Sequence, residues 1–402
     1  MSVTGSIKTE KNLERLSRQD IEAYEEKFLS PLAMKARCSR GRRYEEKEHS
    51  YRSLYQRDRD RIVHSAAFRR LEYKTQVFIY HEGDYFRTRL THTLEVAQIA
   101  RTISKILRLN EDLTEAVALV HDVGHTPFGH AVEAVLDEFM KEEGGFNHNE
   151  HGLRVVDILE EKYPDFKGLN LSWETREGII RHSLNTGKDF AVRFAEFNQD
   201  RQPTLETQVV DVSDEIAYDN HDIDDGIKSG LIAESDLRKK SALWNITHKR
   251  VKAQYSNLEE KLLVYLIIRN LINLQVTDLI DTTQKNAKRL KIKTYKDVKK
   301  CEKRIVAFSN ELDALRKEMR HFLFDNLYFN WHVLRMSDKA KRFISSLFGI
   351  YLNNPRLLPP EFTAESKNIH DIRRKICDYI AGMTDRYALN EHKKLFEPYE
   401  KV

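Results

Sequence analysis

The chain has 402 residues, with 67 Lys and Arg against 63 Asp and Glu and a net charge of +4. Its 15 glycines and 8 prolines are too few for a β fold with its many turns, so helices are expected. Apolar residues make up 40%, enough for one large or two modest cores, and the three cysteines (Cys38, Cys301, Cys377) have no paired spacing that would suit a disulfide scaffold. With no signal peptide and no apolar run of spanning length, the expectation is a cytoplasmic protein.

Residues 1–50 are polar and charged and read as an extension with a frayed start and one or two short helices. Residues 51–71 read as helix. Residues 75–80 (TQVFIY) alternate like a short strand, and 81–85 (HEGDY) read as a turn. From 86 to 109, Val96, Ile99, Ile103, Ile106 and Leu107 keep helical spacing. Arg89 and His92, three apart, share one face of that helix. Asn110 and Asp112 interrupt it, and the next helix is expected from Thr114, a fair N-cap.

Residues 114–133 (TEAVALVHDVGHTPFGHAVE) are the most informative stretch. The apolar run Ala116–Val120 ends in His121–Asp122, and His125, His130 and Glu133 follow. Gly124 and Pro127 break the pattern. This reads as a buried helix whose end presents polar groups into a cavity. Burying so many titratable groups without partners is costly, and a metal ion is the usual partner.

The helix holding Glu133 is expected to reach Met140. Gly144–Gly145 break it, and His148, Asn149, Glu150 and His151 open another, which Pro164 ends. Residues 173–183 are helical again. In 204–228, Leu205, Val209, Val212 and Ile216 fall on one face at 100° per residue. Thr207, Asp211, Asp214, Tyr218, His221 and Asp222 fall on the other. A face rich in Asp, His and Tyr, without lysine before Lys228, suits a cavity wall.

Beyond 230 the pattern is long charged helices, at about 234–255, 257–282, 295–325 and 338–353. Pro355, Pro359 and Pro360 mark a loop, and 366–387 a last helix. The expected organisation is an N-terminal extension (1–50), a catalytic helical core (51–230) and a helical C-terminal region (231–402) packed on it. Basic runs at 35–70 and 284–304 suit phosphate-bearing partners or a solvated face.

His92, His121, Asp122 and Asp214 are candidate metal ligands. They are scattered as ligands on separate helices should be. Two imidazoles and two carboxylates suit a divalent ion such as manganese, magnesium or iron, with positions left for water and phosphate oxygens. A structural zinc site would more often use cysteine, and none lies near.

The order His92, His121–Asp122, Asp214 resembles the signature of the HD-domain metallohydrolases. The surrounding words are narrower: RDRDRIVHSAAFRRLEYKTQVF (57–78), RTRLTHTLEVAQIAR (87–101), HDVGHTPFGHAVE (121–133), GGFNHNE (144–150), LNLSWETREGI (169–179), DEIAYDNHDIDDG (214–226) and CDYIAGMTDRYAL (377–389). Together they resemble the deoxyguanosine triphosphate triphosphohydrolase-like family over about 40–390. The resemblance implies an all-α HD-domain bundle. It also implies conversion of a dNTP and water into a deoxynucleoside and tripolyphosphate. It further implies homo-oligomers (tetramers or hexamers), a nucleotide activator at a second site in some members, and single-stranded DNA binding in others.

Residue by residue, the resemblance places His92, His121, Asp122 and Asp214 on the metal. His125, His130 and Glu133 match a catalytic His and acid at the α-phosphate. His148 matches a His facing the same phosphates. Tyr218 and Asp222 match sugar contacts, and Arg89 and Gln76 match phosphate and sugar contacts. Within that frame His130, oriented by Glu133 three residues on, is the expected general base. His125 would bind phosphate or protonate the 5′ leaving oxygen. Arg89 and Arg52 would neutralise the outer phosphates. Two other readings stand beside this one. The first is an HD phosphohydrolase acting on nucleoside monophosphates or cyclic nucleotides. The second is a nucleotide-sensing or single-stranded nucleic-acid-binding protein with salt-dependent affinity and no turnover.

Overall fold

The computed structural model describes residues 15–76, 87–182, 193–197, 200–255, 257–363 and 368–401. The longer helices are α1 (Arg18–Phe28), α2 (Leu54–Val63), α3 (Arg89–Leu107), α4 (Glu111–Val120), α5 (His130–Phe139), α6 (His148–Arg154) and α7 (Trp173–Ile180). They continue with α8 (Leu205–Lys228), α9 (Ala242–Gln254), α10 (Glu260–Arg289), α11 (Asn310–Leu323), α12 (Trp331–Asn353), α13 (Ile369–Ala381) and α14 (Asp385–Phe396). The fold is all-α, as expected. Among the described residues the only β pairings are two isolated bridges, Arg42 with Ser172 and Thr75 with Thr88. Of the strand expected at 75–80, residues 77–80 lie outside the described residues, as does the turn at 81–85.

Capping chemistry moves several boundaries. Asn110, not Thr114, caps α4: its side chain accepts from the Leu113 N–H at 3.2 Å. Thr114 sits inside the helix and donates its hydroxyl to the Asn110 carbonyl. The helix expected over 51–71 is two helices, because Ser65 caps a second short one, Ala66–Arg70. Ser241, Ser309 and Thr384 likewise divide the helices expected at 234–255, 295–325 and 366–387. Hydrophobic period alone does not register a cap that restarts a helix on the same face.

Three apolar cores hold these elements. The largest joins α2, α3, α4, α7 and the first half of α8 through Ile62, Val96, Ile103, Val117, Ile179 and Val209. A second packs α5 against α12 and α13 through Val132, Leu136, Ile344, Leu347, Ile376 and Ile380. A third packs the end of α8 against α9, α10 and α11 through Ile223, Trp244, Ile267, Leu271 and Met319. Each fully buried Leu or Ile contributes roughly 2 kcal/mol of transfer free energy. Helix α10 corrects the expectation that no run reaches spanning length: it is long and apolar enough to cross a membrane. Its Leu263, Val264, Ile267, Ile268 and Leu271 are buried in the third core.

The arginines of 35–70 are largely neutralised at home. Arg42 pairs with Asp58 at 2.6 Å, Arg61 with Glu46 at 2.6 Å and Arg37 with Glu22 at 3.1 Å. The run reads as basic only while its partners are out of view.

Candidate active site and metal centre

Helix α4 ends at Val120, and the chain turns tightly through 121–124. Gly124 makes this turn feasible. A Cβ there would lie 2.0 Å from the His148 carbonyl oxygen and 2.3 Å from the Gly152 nitrogen. Only a hydrogen lets the loop lie against the backbone of α6. The contact stacks the His125 ring on that of His148, centroids 3.9 Å apart. Phe128 (φ 59°) and Gly129 (φ 64°) then swing the chain into α5.

Three expected ligands converge. His92 Nε2 is 2.8 Å from Asp214 Oδ1, and His121 Nε2 is 3.8 Å from the same oxygen. His92, His121 and Asp214 each place a donor atom within 4.8 Å of the others'. His121 Nδ1 donates to the Ala118 carbonyl at 2.6 Å, which leaves the lone pair of Nε2 facing the cluster. That Nε2 is buried and has no hydrogen-bond partner, an atom a cation would satisfy. Burial also depresses the His121 imidazole below its ordinary value, favouring the neutral, ligating form.

Asp122 comes to the same place but turns aside. Both its oxygens accept from Arg89 Nη1, at 3.1 and 3.0 Å, and Oδ1 is 2.9 Å from His125 Nδ1. Burial works to raise its carboxyl, yet Arg89 and His125 hold it well below the usual range. Oδ1 remains 3.7 Å from His121 Nε2. Arg89, expected on substrate phosphate, is only 2% exposed and committed to Asp122.

A second cluster adjoins the first: His125, His130, Glu133 and His148. Glu133 bridges two imidazoles, Oε2 to His130 Nδ1 at 3.0 Å and Oε1 to His148 Nδ1 at 2.8 Å. Oε1 also accepts the His148 backbone N–H at 3.0 Å. Burial pushes the Glu133 carboxyl up, but these hydrogen bonds outweigh it and hold the group ionised. The His130 side chain is 65% exposed, open to a reactant.

Both clusters open into one cavity of about 400 Å³. Gln76, its Oε1 buried and unpartnered, lines one side. Tyr218, Arg320, Phe324 and Tyr328 line the other. Residues 324–328 form a π-helical turn, a device common at functional sites. Tyr328 lies over Tyr218, centroids 6.3 Å apart, and donates its hydroxyl to Asp222. Asp222, expected to touch the sugar, therefore sits behind Tyr328 and does not line the cavity. Burial, with Asp219 and Asp225 nearby, raises its carboxyl well above the ordinary value. Arg52, expected near the phosphates, pairs with Asp60 at 2.7 Å in a separate surface depression.

Residues 89–219 match the HD domain, and residues 306–394 match the phosphohydrolase-associated domain. A "Deoxyguanosinetriphosphate triphosphohydrolase-like protein" of Geobacter sulfurreducens is 47% identical over 393 residues, covering 98% of this chain and 99% of its own. The protein of that name from Ralstonia pickettii is 50% identical over 369 residues (92% and 94%), and that from Geobacter metallireducens 48% over 374 residues (93% and 96%).

The chain belongs to the deoxyguanosinetriphosphate triphosphohydrolase-like family.

Family membership and the all-α HD domain agree with the sequence reading, and an HD domain implies a divalent metal. The residues present fit one: two imidazoles, one of them with a buried orphan nitrogen, and the Asp214 carboxylate, with Asp122 beside them. Several neighbours of this site escaped the sequence reading. His182 places Nδ1 2.6 Å from Asp211 and Nε2 3.3 Å from Asp214. Burial opposes charge on it, but the two aspartates push it up to about 10. Its only sequence signal is a histidine closing the apolar pair Ile179–Ile180. Asp219 is claimed by Arg316 and Arg320, and Tyr328 by Asp222. These residues come from over ninety positions away in the chain, with no local signal. Part of the lysine-rich run also belongs here: Arg304 pairs with Asp211 behind His182.

Proposed function

We propose that this family member is a metal-dependent dNTP triphosphohydrolase, converting a dNTP and water into a deoxynucleoside and tripolyphosphate. The observation that carries the reading is the Glu133 bridge between His130 and His148, set beside the His92–His121–Asp214 cluster in one cavity. His92, His121, Asp122 and Asp214 would hold a divalent ion, manganese, magnesium or iron. When bound, it supplies positive charge to draw electron density from phosphate oxygens.

The chain's own residues account for the remainder. His130, held by Glu133, accepts a proton from water as the water oxygen bonds to the α-phosphorus. The bond from that phosphorus to the 5′ oxygen breaks, and the leaving oxygen takes its proton from solvent; His125, which burial and the Arg89 charge hold well below its ordinary imidazole value, contacts phosphate instead. His148, ordered by the same carboxylate, faces the phosphates. Tyr218 offers a ring to the deoxyribose, Gln76 reaches the sugar end, and Arg89, which lines the cavity while it holds Asp122, faces phosphate. Asp222 reads the sugar only if Tyr328 gives up its hydrogen bond. Residues 51–230 form the catalytic core in this reading and 231–402 pack on it. The unpaired cysteines suit the cytoplasm. Assembly as tetramers or hexamers, a nucleotide activator and single-stranded DNA as a partner rest on the family resemblance.

The test is incubation with each dNTP, singly and in mixtures, with Mn²⁺ or Mg²⁺ and His121→Ala as control. Deoxynucleoside plus tripolyphosphate, lost in the variant, is the expected result. Monophosphate plus diphosphate would sink the triphosphohydrolase assignment. Turnover of mixtures alone would reveal an activator site.

A further inference from the structure

We infer that Asp385 is a positioning residue for the loop that carries His125 and leads to His130, so that the C-terminal segment holds that loop in register. The loop turns through two consecutive left-handed residues, Phe128 at φ 59° and Gly129 at φ 64°. Glycine accepts such a conformation freely, but a phenylalanine there is strained and persists only when its surroundings impose it. Asp385 supplies the constraint. Its Oδ1 accepts the Phe128 N–H at 2.9 Å. Its Oδ2 accepts the Thr75 N–H at 2.9 Å and also the Thr75 hydroxyl.

A second anchor lies beside the first. Lys74 Nζ donates to the His125 carbonyl at 2.5 Å and to the Ala381 carbonyl at 2.9 Å. One carboxylate and one amine therefore tie three segments together. These are residues 74–76, which bring Gln76 to the cavity; the loop of His125; and the junction of α13 and α14 at 381–385. Asp385 is 2% and Lys74 3% exposed, so their hydrogen bonds form out of competition with water. Neither side chain lines the cavity. Both act on it through the backbone of the loop. The Phe128 ring completes the arrangement by packing into the core that contains Ile380, Ala381 and Met383.

The kinetic arm of the test rests on the proposed function; the exchange arm does not. Full-length Asp385→Asn keeps the size of the side chain but turns an N–H₂ toward one of the donors. Hydrogen–deuterium exchange of peptides covering 123–130 is expected to rise at least tenfold, with α3 and α8 at wild-type rates. With dGTP and Mn²⁺, kcat is expected to fall tenfold or more while KM stays within twofold. Lys74→Met removes the second anchor and is expected to act in the same direction. It carries the test if Asp385→Asn does not fold. Wild-type exchange over 123–130 in both variants would overturn the inference. So would exchange that rises evenly along the chain with kcat falling only as the folded fraction falls. If the wild type turns over no dNTP while the variants still loosen 123–130, the functional reading fails and the positioning role stands.

Discussion

Nε2 of His182 lies 3.3 Å from Oδ2 of Asp214, whose other oxygen faces His92 at 2.8 Å. His182 is itself held by Asp211 at 2.6 Å, and Arg304 holds Asp211 from behind. A carboxylate proposed to face a cation is thus oriented by a chain of three side chains. Partners of this kind tune affinity by roughly ten- to hundredfold. His182→Ala is expected to weaken Mn²⁺ binding by about that factor in titration calorimetry, with circular dichroism unchanged. Unaltered affinity would mean that His92 alone orients Asp214.

Glu133 separates two roles that share the cavity. It touches His130 and His148 but none of the four expected metal ligands. Glu133→Gln should therefore lower kcat for dNTP hydrolysis by about a hundredfold or more, the scale of general-base catalysis, and leave Mn²⁺ affinity intact. Loss of the metal in this variant would show that the two clusters form a single unit.

Gly124 tests the packing that brings His125 to His148. The nearest atoms to an added Cβ are backbone, at 2.0, 2.3 and 2.6 Å, and none can rotate away. Gly124→Ala is expected to destabilise the fold by about 3 kcal/mol, at the upper end for overpacking. Urea unfolding measures it, and a wild-type midpoint would contradict the close approach.

Glu25 links stability to pH far from the site. Burial pushes its carboxyl up to about 7 from an ordinary 4.5, although the Ala36 N–H and the Asn110 amide donate to it. The folded state keeps this proton while the unfolded state releases it. Between pH 4.5 and about 7 stability therefore falls as pH rises, and above that the loss is complete. At 1.36 kcal/mol per pH unit the loss approaches about 3 kcal/mol. Glu25→Gln lacks this dependence. The stability of wild type relative to the variant should thus drift downward between pH 5 and 8 in parallel urea titrations. A pH-independent difference would show Glu25 ionised in the fold.

Much of the site was legible because the chemistry is local. His121–Asp122 at the end of an apolar run, His125, His130 and Glu133 within two turns, and an Asp- and Tyr-rich face on α8 all declare themselves through residue type and period. The same period placed α3 and the most apolar helix, α10. It failed where Ser65, Ser241, Ser309 and Thr384 restart helices, since a cap is a single hydrogen bond that leaves the apolar stripe continuous.

What the chain determined by itself was an all-α protein, its family and the residue types gathered for a divalent ion and a phosphate. Only the tertiary structure decided which partner each group takes. It turned Asp122 to Arg89, set Tyr328 over Asp222, brought His182 behind Asp214 and carried Asp385 to Phe128. Periodicity reports which face of a helix is buried. It says nothing of what that face meets, because two side chains tens to hundreds of positions apart are joined only by the packing of the cores between them.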